Sequence, residues 1–121
     1  MRAVIFVNGA FNEPQQVRDL LRADDLIIAV DGGTRHAWEV GAEPQLVIGD
    51  MDSLAANEQE RLRSAGVEVS SFPPRKDKTD LELALHRAEA EGASAIVIVA
   101  ALGGRLDQMM ANLLLLTLPE L

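Results

Sequence analysis

The sequence predicts an α/β domain, with a doubly wound, mostly parallel sheet of five or more strands and helices on both faces. Short apolar runs rich in β-branched residues recur along the chain, and a helical pattern follows each of them. Several runs are apolar without interruption, as is usual for strands buried on both faces of a parallel sheet. Strands that alternate with helices form right-handed βαβ units, which distribute the helices over both faces.

Five segments are predicted to be strands. They are residues Ala3–Val7, Leu26–Val30, Leu46–Ile48, Val67–Ser70 and Ala95–Ala100. Because aromatic residues make up only 3% of the chain, the core between these strands and the helices must be aliphatic.

The first two helices have recognisable ends. Pro14 suits the first turn of a helix that continues through Val17. Thr34 is predicted to cap the second helix, and Gly41 to close it. The apolar residues of this second helix are Ala37, Trp38 and Val40.

Two further helices follow the same rules. Ser53 is predicted to cap a helix that stops at Gly66, and Thr79 a longer one that ends near Gly92. The inner face of the longer helix is predicted to consist of Leu81, Leu83, Ala84, Leu85 and Ala88.

A last helix is expected from Arg105 to Leu118, stopped by Pro119. It has almost no polar face between Met109 and Leu116. Such a helix should be buried on several sides, which suggests missing chain or a partner subunit.

Length and charge limit the possible functions. The 121 residues fit one domain, which can bury a core without disulfides. The net charge of −8 repels nucleic acid and anionic membranes, and we expect neither as a partner. It also repels ATP, so a polyphosphate ligand would require metal cations as intermediaries.

The chain has no cysteine, which excludes disulfides and thiolate chemistry. No apolar run reaches the roughly 18 residues that span a bilayer. The apolar stretch before Asn8 is too short for a signal peptide, so a cytoplasmic location is expected.

Polar clusters follow the ends of the predicted strands. In open α/β sheets, ligands bind outside the carboxyl ends of the strands, and these clusters converge on that edge. They are Asn8-Gly9, Asp31-Gly32-Gly33, Gly49-Asp50-Met51-Asp52-Ser53, Lys76-Asp77-Lys78-Thr79-Asp80 and Gly103-Gly104-Arg105-Leu106-Asp107-Gln108.

Asp50 and Asp52 form the first candidate metal site. In an extended segment, residues two apart point to the same side, so these carboxylates repel each other unless a cation lies between them. Mg²⁺ is commonly held by one or two carboxylates together with substrate phosphates. The alternative is a polar loop in which an aspartate caps a helix.

Asp80 could be a third metal ligand, or it could supply favourable charge at a helix N-terminus, which is typically worth ~0.3–1 kcal/mol. Asp31 lies beside Gly32 and Gly33, whose backbone N–H groups can approach phosphate. The alternative for this segment is a tight turn that leads into a helix.

Several cationic and glycine residues could bind phosphate groups. Lys76 and Lys78 could reach phosphate oxygens, although a solvated loop would also explain them. Gly103-Gly104 precedes a helix whose N-terminus can bind an anion, and Arg105 could oppose the charge on a transferring phosphoryl group. Asp107 could orient Arg105, accept a proton from the substrate or cap the helix.

Standard nucleotide fingerprints are absent. The chain contains neither a G-x-x-x-x-G-K-[ST] loop nor a G-x-G-x-x-G loop, which argues against a P-loop kinase and a typical NAD enzyme. His36 and His86 lack metal-ligand spacing and are interpreted as structural.

The polar clusters in series resemble thiamin pyrophosphokinase, in both order and approximate spacing. The matching segments are Asp31-Gly32-Gly33, Gly49-Asp50-Met51-Asp52-Ser53, Lys76-Asp77-Lys78-Thr79-Asp80 and Gly103-Gly104-Arg105-Leu106-Asp107. The resemblance covers nearly the whole chain, and it implies a Rossmann-like domain over residues 1–121 that binds ATP and Mg²⁺.

The resemblance also implies a role for each residue. The metal ligands would be Asp50, Asp52 and Asp80, which with Arg105 and Asp107 form the catalytic set. The ATP-binding residues would be Asp31, Gly32, Gly33, Lys78, Thr79, Gly104, Arg105 and Gln108. The hydroxyl of thiamin would attack the β-phosphorus of ATP, and AMP would leave.

Members of this family usually add an all-β domain and form a homodimer that binds thiamin between subunits. This chain stops before such a domain, so we expect a truncated chain or a short homologue, and the bare terminal helix favours truncation. Two other functions remain open. One is a pyrophosphokinase for another small alcohol, such as a pterin. The other is a module that binds Mg-nucleotide without catalysis.

Overall fold

The computed structural model describes residues 1–9, 14–49, 52, 54–70 and 80–99, together with the backbone of residues 113–117. Its strands are β1 (Arg2–Phe6), β2 (Leu26–Val30), β3 (Leu46–Ile48), β4 (Glu68–Ser70), β5 (Ala95–Val99) and β6 (Leu113–Thr117). Its helices are α1 (Pro14–Leu20), α2 (Gly33–Glu39), α3 (Ala56–Ser64) and α4 (Asp80–Ala90).

The strands form one sheet in the order β4-β3-β2-β1-β5-β6. Strands β1 to β5 are mutually parallel, with Ala3 opposite Leu26 on one side of β1 and opposite Ile96 on the other. Strand β6 is antiparallel to β5. The predicted fold class, a mostly parallel sheet of five or more strands, is therefore confirmed.

The strand order reverses beside β1. Strands β2, β3 and β4 follow one another on one side of β1, whereas β5 lies on its other side. In open α/β sheets such a reversal opens a crevice at the carboxyl ends of the strands, where ligands bind. The loop after β1 is thus next to this crevice.

Alternate residues of each strand face opposite layers of the core. On one face Ile5 and Ile28 pack with Ala84 and Ala88 of α4. On the other face Phe6 packs with residues of α1 and α2, and Ala29 packs near Leu62 of α3. Full burial of an aliphatic side chain contributes about 1.5–3 kcal/mol, so this aliphatic core supplies most of the driving force.

The predicted final helix is wrong over residues 113–117, which form strand β6. A short run of leucines fits a buried helix or a strand equally well by periodicity. Pairing with β5 decides between them, because it gives the backbone groups of both strands hydrogen-bond partners. Residues 105–112 and 118 lie outside the described part of the chain.

Two predicted helix caps differ from the structure. Thr34 lies inside α2, whose N-cap is Gly32, and its hydroxyl donates instead to the carbonyl of Asp31 at 2.9 Å. Helix α3 begins after Ala55 rather than Ser53, because the Glu58 carboxylate accepts the Ala55 N–H at 2.7 Å. Ser53 and Thr79 themselves lie outside the described residues.

The other predicted helix ends are confirmed. Pro14 is the first residue of α1, and Gly41, Gly66 and Gly92 follow the ends of α2, α3 and α4 with positive φ. None of the helices in the described part of the chain has the length and apolar content that crossing a membrane requires.

An ion pair stabilises the amino edge of the sheet, which is the edge at which the parallel strands begin. Arg2 donates from Nε and Nη2 to the two carboxylate oxygens of Asp25, at 2.9 and 2.6 Å, and from Nη2 to the carbonyl of Leu20. The Asp25 side chain is 1% exposed. Burial alone would raise the pKa of Asp25, but the bonds from Arg2 and from the Arg22 N–H hold that pKa below its ordinary value.

Candidate active site at the carboxyl edge

The three neighbouring strands β1, β2 and β3 end at the same height along the strand direction. The N–H of Val7 donates to the carbonyl of Val99 on the adjacent strand. In the same way the N–H of Asp31 donates to Ile48 and that of Gly49 to Ser70, each bond being 3.0 Å long. These bonds extend the parallel ladders one residue beyond the strands. The loops after β1, β2 and β3 therefore start from fixed backbone positions.

Gly33 brings the start of α2 against the end of β1. A Cβ atom at this position would overlap the carbonyl oxygen of Phe6. Any side chain here would push the helix away from the strand. Gly33 is predicted to line the nucleotide pocket. The packing of α2 against β1 requires a glycine at this position independently of that role.

Asp31 and Gly49 join the loops after β2 and β3. Asp31 adopts a φ of 48°, a left-handed conformation that aspartate tolerates better than most residues. Its carboxylate then reaches the end of β3, where Oδ1 fills the space that a Cβ atom of Gly49 would take. The structure thus brings Asp31 directly beside the segment that carries Asp50 and Asp52.

Asn8 and Gly32 join the loops after β1 and β2 in a similar way. A Cβ atom on Gly32 would lie 2.8 Å from Cγ, 2.8 Å from Nδ2 and 2.9 Å from Oδ1 of Asn8. In addition, Nε2 of His36 donates to the carbonyl of Gly9 at 2.9 Å. The interpretation of His36 as structural is consistent with this contact, which fixes the β1 loop to α2.

Asp52 and Asp80 both lie at the carboxyl edge, but on different elements. Asp52 is exposed in the turn between β3 and α3, and Asp80 is the half-buried first residue of α4. Within the described ranges, three or more acidic or histidine side chains do not cluster closely enough to hold a metal. Asp50, the remaining predicted ligand, lies outside those ranges.

Glu58 stabilises the start of α3, which follows the turn that contains Asp52. Its carboxylate accepts two hydrogen bonds from Arg35 of α2, both at 2.8 Å, and a third from the Ala55 N–H. These bonds, the one from Arg35 first, lower the pKa of Glu58 to about 2. The pair therefore links the helices that follow β2 and β3.

The other predicted site residues remain predictions. Those outside the described part of the chain are Asp50, Lys78, Thr79, Gly104, Arg105, Asp107 and Gln108. Sequence reasoning noted Asn8 as polar but gave it no role. Asn8 follows a buried strand directly, at the edge where ligands bind, and this position could have indicated a binding role.

Comparison with known proteins agrees with this geometry. Residues 17–120 match the sequence profile of the family described as thiamin pyrophosphokinase, catalytic domain. A thiamine pyrophosphokinase of Bacillus subtilis (strain 168) is 36% identical over 91 residues, which cover 75% of this chain and 42% of that protein.

Two solved structures have the same fold. A thiamin pyrophosphokinase from Geobacillus thermodenitrificans is 33% identical with a TM-score of 0.70, and one from Bacillus subtilis is 29% identical with a TM-score of 0.72. Each alignment covers 91% of this chain and 51% of the other, so the chain spans about half the length of these relatives. The match over residues 17–120 shows that this chain belongs to the thiamin pyrophosphokinase family and corresponds to its catalytic domain.

Proposed function

We propose that this chain is the catalytic, nucleotide-binding half of an enzyme that transfers a pyrophosphoryl group from ATP to the hydroxyl of thiamin. The products are thiamin diphosphate and AMP. The observation that carries this proposal is the contact between Asp31 and Gly49, because it joins two acidic loops at the ligand-binding edge of the sheet. These two loops belong to the segments that resemble the family.

The acidic residues suit magnesium as the cation that accompanies ATP. Asp31, Asp52 and Asp80 offer carboxylate oxygens at one edge, and the chain contains no thiolate that would favour a softer metal. In the proposed site the metal ligands are Asp50, Asp52 and Asp80, supported by Asp31. When bound, Mg²⁺ neutralises charge on the phosphate oxygens.

The remaining residues bind and orient the triphosphate. Lys78 and Arg105 oppose the charge of the phosphate groups, and Asp107 orients Arg105 or accepts the proton of the attacking hydroxyl. The other proposed contacts to ATP are made by Gly32, Gly33, Thr79, Gly104 and Gln108.

The proposed reaction is an in-line displacement. The thiamin oxygen forms a bond to the β-phosphorus, and the bond from that phosphorus to the oxygen bridging the α- and β-phosphates breaks. The hydroxyl proton passes to a base, and AMP departs with the electron pair of the broken bond. Because little covalent chemistry falls to the protein, positioning and charge neutralisation account for catalysis.

The proposal extends to parts of the enzyme beyond this chain. Since the chain spans about half the length of its relatives, we assign most of the thiamin pocket to an all-β domain outside these 121 residues. We further propose a homodimer, with the acceptor bound between subunits, and a cytoplasmic location.

The products identify the reaction. We would incubate the protein with Mg-ATP and thiamin and separate AMP, ADP and thiamin diphosphate by chromatography, with EDTA and omission of thiamin as controls. AMP that appears only with thiamin and magnesium supports the proposal. ADP would indicate an ordinary kinase, and AMP formed only with another alcohol would change the substrate. Mg-ATP binding without turnover would indicate either a binding module or the catalytic half of an enzyme that needs its other domain.

A further inference from the structure

The Asn8 amide lies flat against Gly32. Its Cγ, Nδ2 and Oδ1 atoms are almost equally far from the position of a Cβ atom on Gly32, at 2.8, 2.8 and 2.9 Å. Such equal distances arise when that position faces the plane of the amide group. The polar Nδ2 and Oδ1 atoms therefore lie in a plane that faces Gly32.

In this conformation the Asn8 side chain leaves no room for a side chain at residue 32. The φ of Gly32 is −67° and its ψ is −8°, a conformation that every L-residue adopts easily. The backbone therefore does not exclude a side chain here. The atoms that a Cβ would meet most closely all belong to Asn8.

The backbone on both sides of Asn8 is also fixed. The Val7 N–H donates to the carbonyl of Val99 at 3.0 Å, and the carbonyl of Gly9 accepts from Nε2 of His36 at 2.9 Å. Asn8 is nevertheless exposed, and its amide forms no hydrogen bond with the described residues. Because the backbone is already fixed, only the side-chain rotation of Asn8 remains to be restricted when it binds a ligand.

The chemistry of this position fits a phosphate group. Phosphate oxygens only accept hydrogen bonds, and they therefore need a donor. The ionised carboxylate of the neighbouring Asp31 also only accepts hydrogen bonds and cannot supply one. The Asn8 amide supplies N–H donors without adding charge, and it lies beside the crevice at which the strand order reverses. We propose that Asn8 is a ligand-binding residue whose Nδ2 donates to a phosphate oxygen of the bound nucleotide, an assignment that rests on the proposed function.

The test compares Asn8→Ala and Asn8→Asp with matched changes at Gln16, an exposed amide on α1. Calorimetry would give the Kd for Mg-ATP and for Mg-tripolyphosphate, which lacks the nucleoside. We expect Asn8→Ala to weaken both ligands by a similar factor, about tenfold to a hundredfold for a lost hydrogen bond to a charged group. Gln16→Ala and Gln16→Glu should leave both Kd values unchanged.

Asn8→Asp separates a bond to the ligand from a packing role. It keeps the size and planar shape of the side chain but replaces the donor with a charged acceptor. We expect it to weaken both ligands at least as much as Asn8→Ala does, while circular dichroism and Tm show an intact fold. Wild-type affinity in Asn8→Asp would overturn the proposal, as would a loss in Asn8→Ala that is confined to Mg-ATP.

The same measurements distinguish this proposal from the proposed function. If the wild-type protein binds Mg-ATP and forms AMP while Asn8→Ala binds within twofold of it, only the role of Asn8 is wrong. If the wild-type protein binds neither Mg-ATP nor Mg-tripolyphosphate, both proposals fail.

Discussion

The carboxylate of Asp31, at the end of β2, occupies the space into which a side chain at Gly49, at the end of β3, would extend. The two residues adopt φ values of 48° and 119°, and the contact depends on both. A negative charge is thereby held against the backbone of the loop proposed to bind the metal.

We predict that Gly49→Ala damages both folding and ligand binding. The new Cβ would displace the Asp31 carboxylate and force a φ of 119° on an L-residue, at a cost of about 1–3 kcal/mol for such backbone strain. Urea unfolding should show this loss, and calorimetry should show weaker Mg-ATP binding.

Gly41→Ala is the matched control. Gly41 also has a positive φ, +82°, but no atom of the described residues lies within 4 Å of its added Cβ. We expect a loss of about 1–2 kcal/mol from the backbone alone, with unchanged Mg-ATP affinity. Equal affinity losses in the two variants would refute the role given to the Asp31 contact.

Removal of a metal ligand provides the second prediction. Asp52→Asn should abolish Mg-dependent ATP binding and preserve the fold, because an amide binds Mg²⁺ far less strongly than a carboxylate. Asp19→Asn makes the same change on the exposed surface of α1 and should have no effect on binding. Unchanged nucleotide affinity of Asp52→Asn in magnesium would show that the metal assignment is wrong.

Acid should unfold the protein partly through Asp25. Its pKa is lowered in the folded state, so the unfolded state binds more protons once the pH approaches the ordinary value of 3.8. The contribution of Asp25 to stability is complete above that value and is lost as the pH falls through the lower, folded value. Denaturant unfolding measured from pH 6 to pH 2 would show the decrease.

Asp25→Asn should remove this part of the acid dependence. It leaves Arg2 without its anionic partner, and breaking a buried pair in this way costs about 3–5 kcal/mol at neutral pH. Mg-ATP affinity, measured well below Tm, should not change, because the pair lies at the amino edge. An acid slope identical to that of the wild-type protein would contradict this account.

The pair formed by Arg35 and Glu58 should affect binding more than stability. Glu58→Gln weakens an ion pair whose arginine is exposed, so it should cost little stability. It also removes the charged acceptor of the Ala55 N–H, at the start of the helix that follows Asp52. We expect Mg-ATP affinity to fall by no more than about fivefold. Calorimetry at neutral pH, where the wild-type Glu58 is fully ionised, would measure it.

Glu68→Gln is the control for that prediction, since Glu68 pairs with Arg87 through two bonds of similar length. Glu68 begins β4 and therefore lies at the opposite edge of the sheet. Its loss should leave Mg-ATP affinity unchanged. A similar decrease in both variants would indicate a general electrostatic effect instead of an effect on the Asp52 turn.

Much of the fold was predictable because local pattern and tertiary structure agree. The uninterrupted apolar runs predicted β1, β2 and β5 to within one residue at each end, since strands buried on both faces are apolar throughout. Strand β6 was not predicted, although its run of leucines is also apolar. Its leucines carry no periodic signal, and only pairing with β5 determines their conformation.

The candidate site was predictable in location but not in detail. The rule that ligands bind at the carboxyl ends of parallel strands was enough to place Asp31, Asp52 and Asp80 at one edge. The contacts of Asp31 with Gly49 and of Asn8 with Gly32 depend on backbone angles and on the alignment of neighbouring strands. Neither quantity can be read from the order of residues in a loop.

The ion pair of Arg2 with Asp25 and the contact of Asp31 with Gly49 lie at opposite ends of the same parallel strands. Five residues of strand, about 16 Å, separate the two levels, and substitutions so far apart usually have additive effects. Thermal stability can therefore change through substitutions at the amino edge while Mg-ATP binding is conserved at the carboxyl edge. Relatives adapted to different temperatures should differ at the first edge and agree at the second.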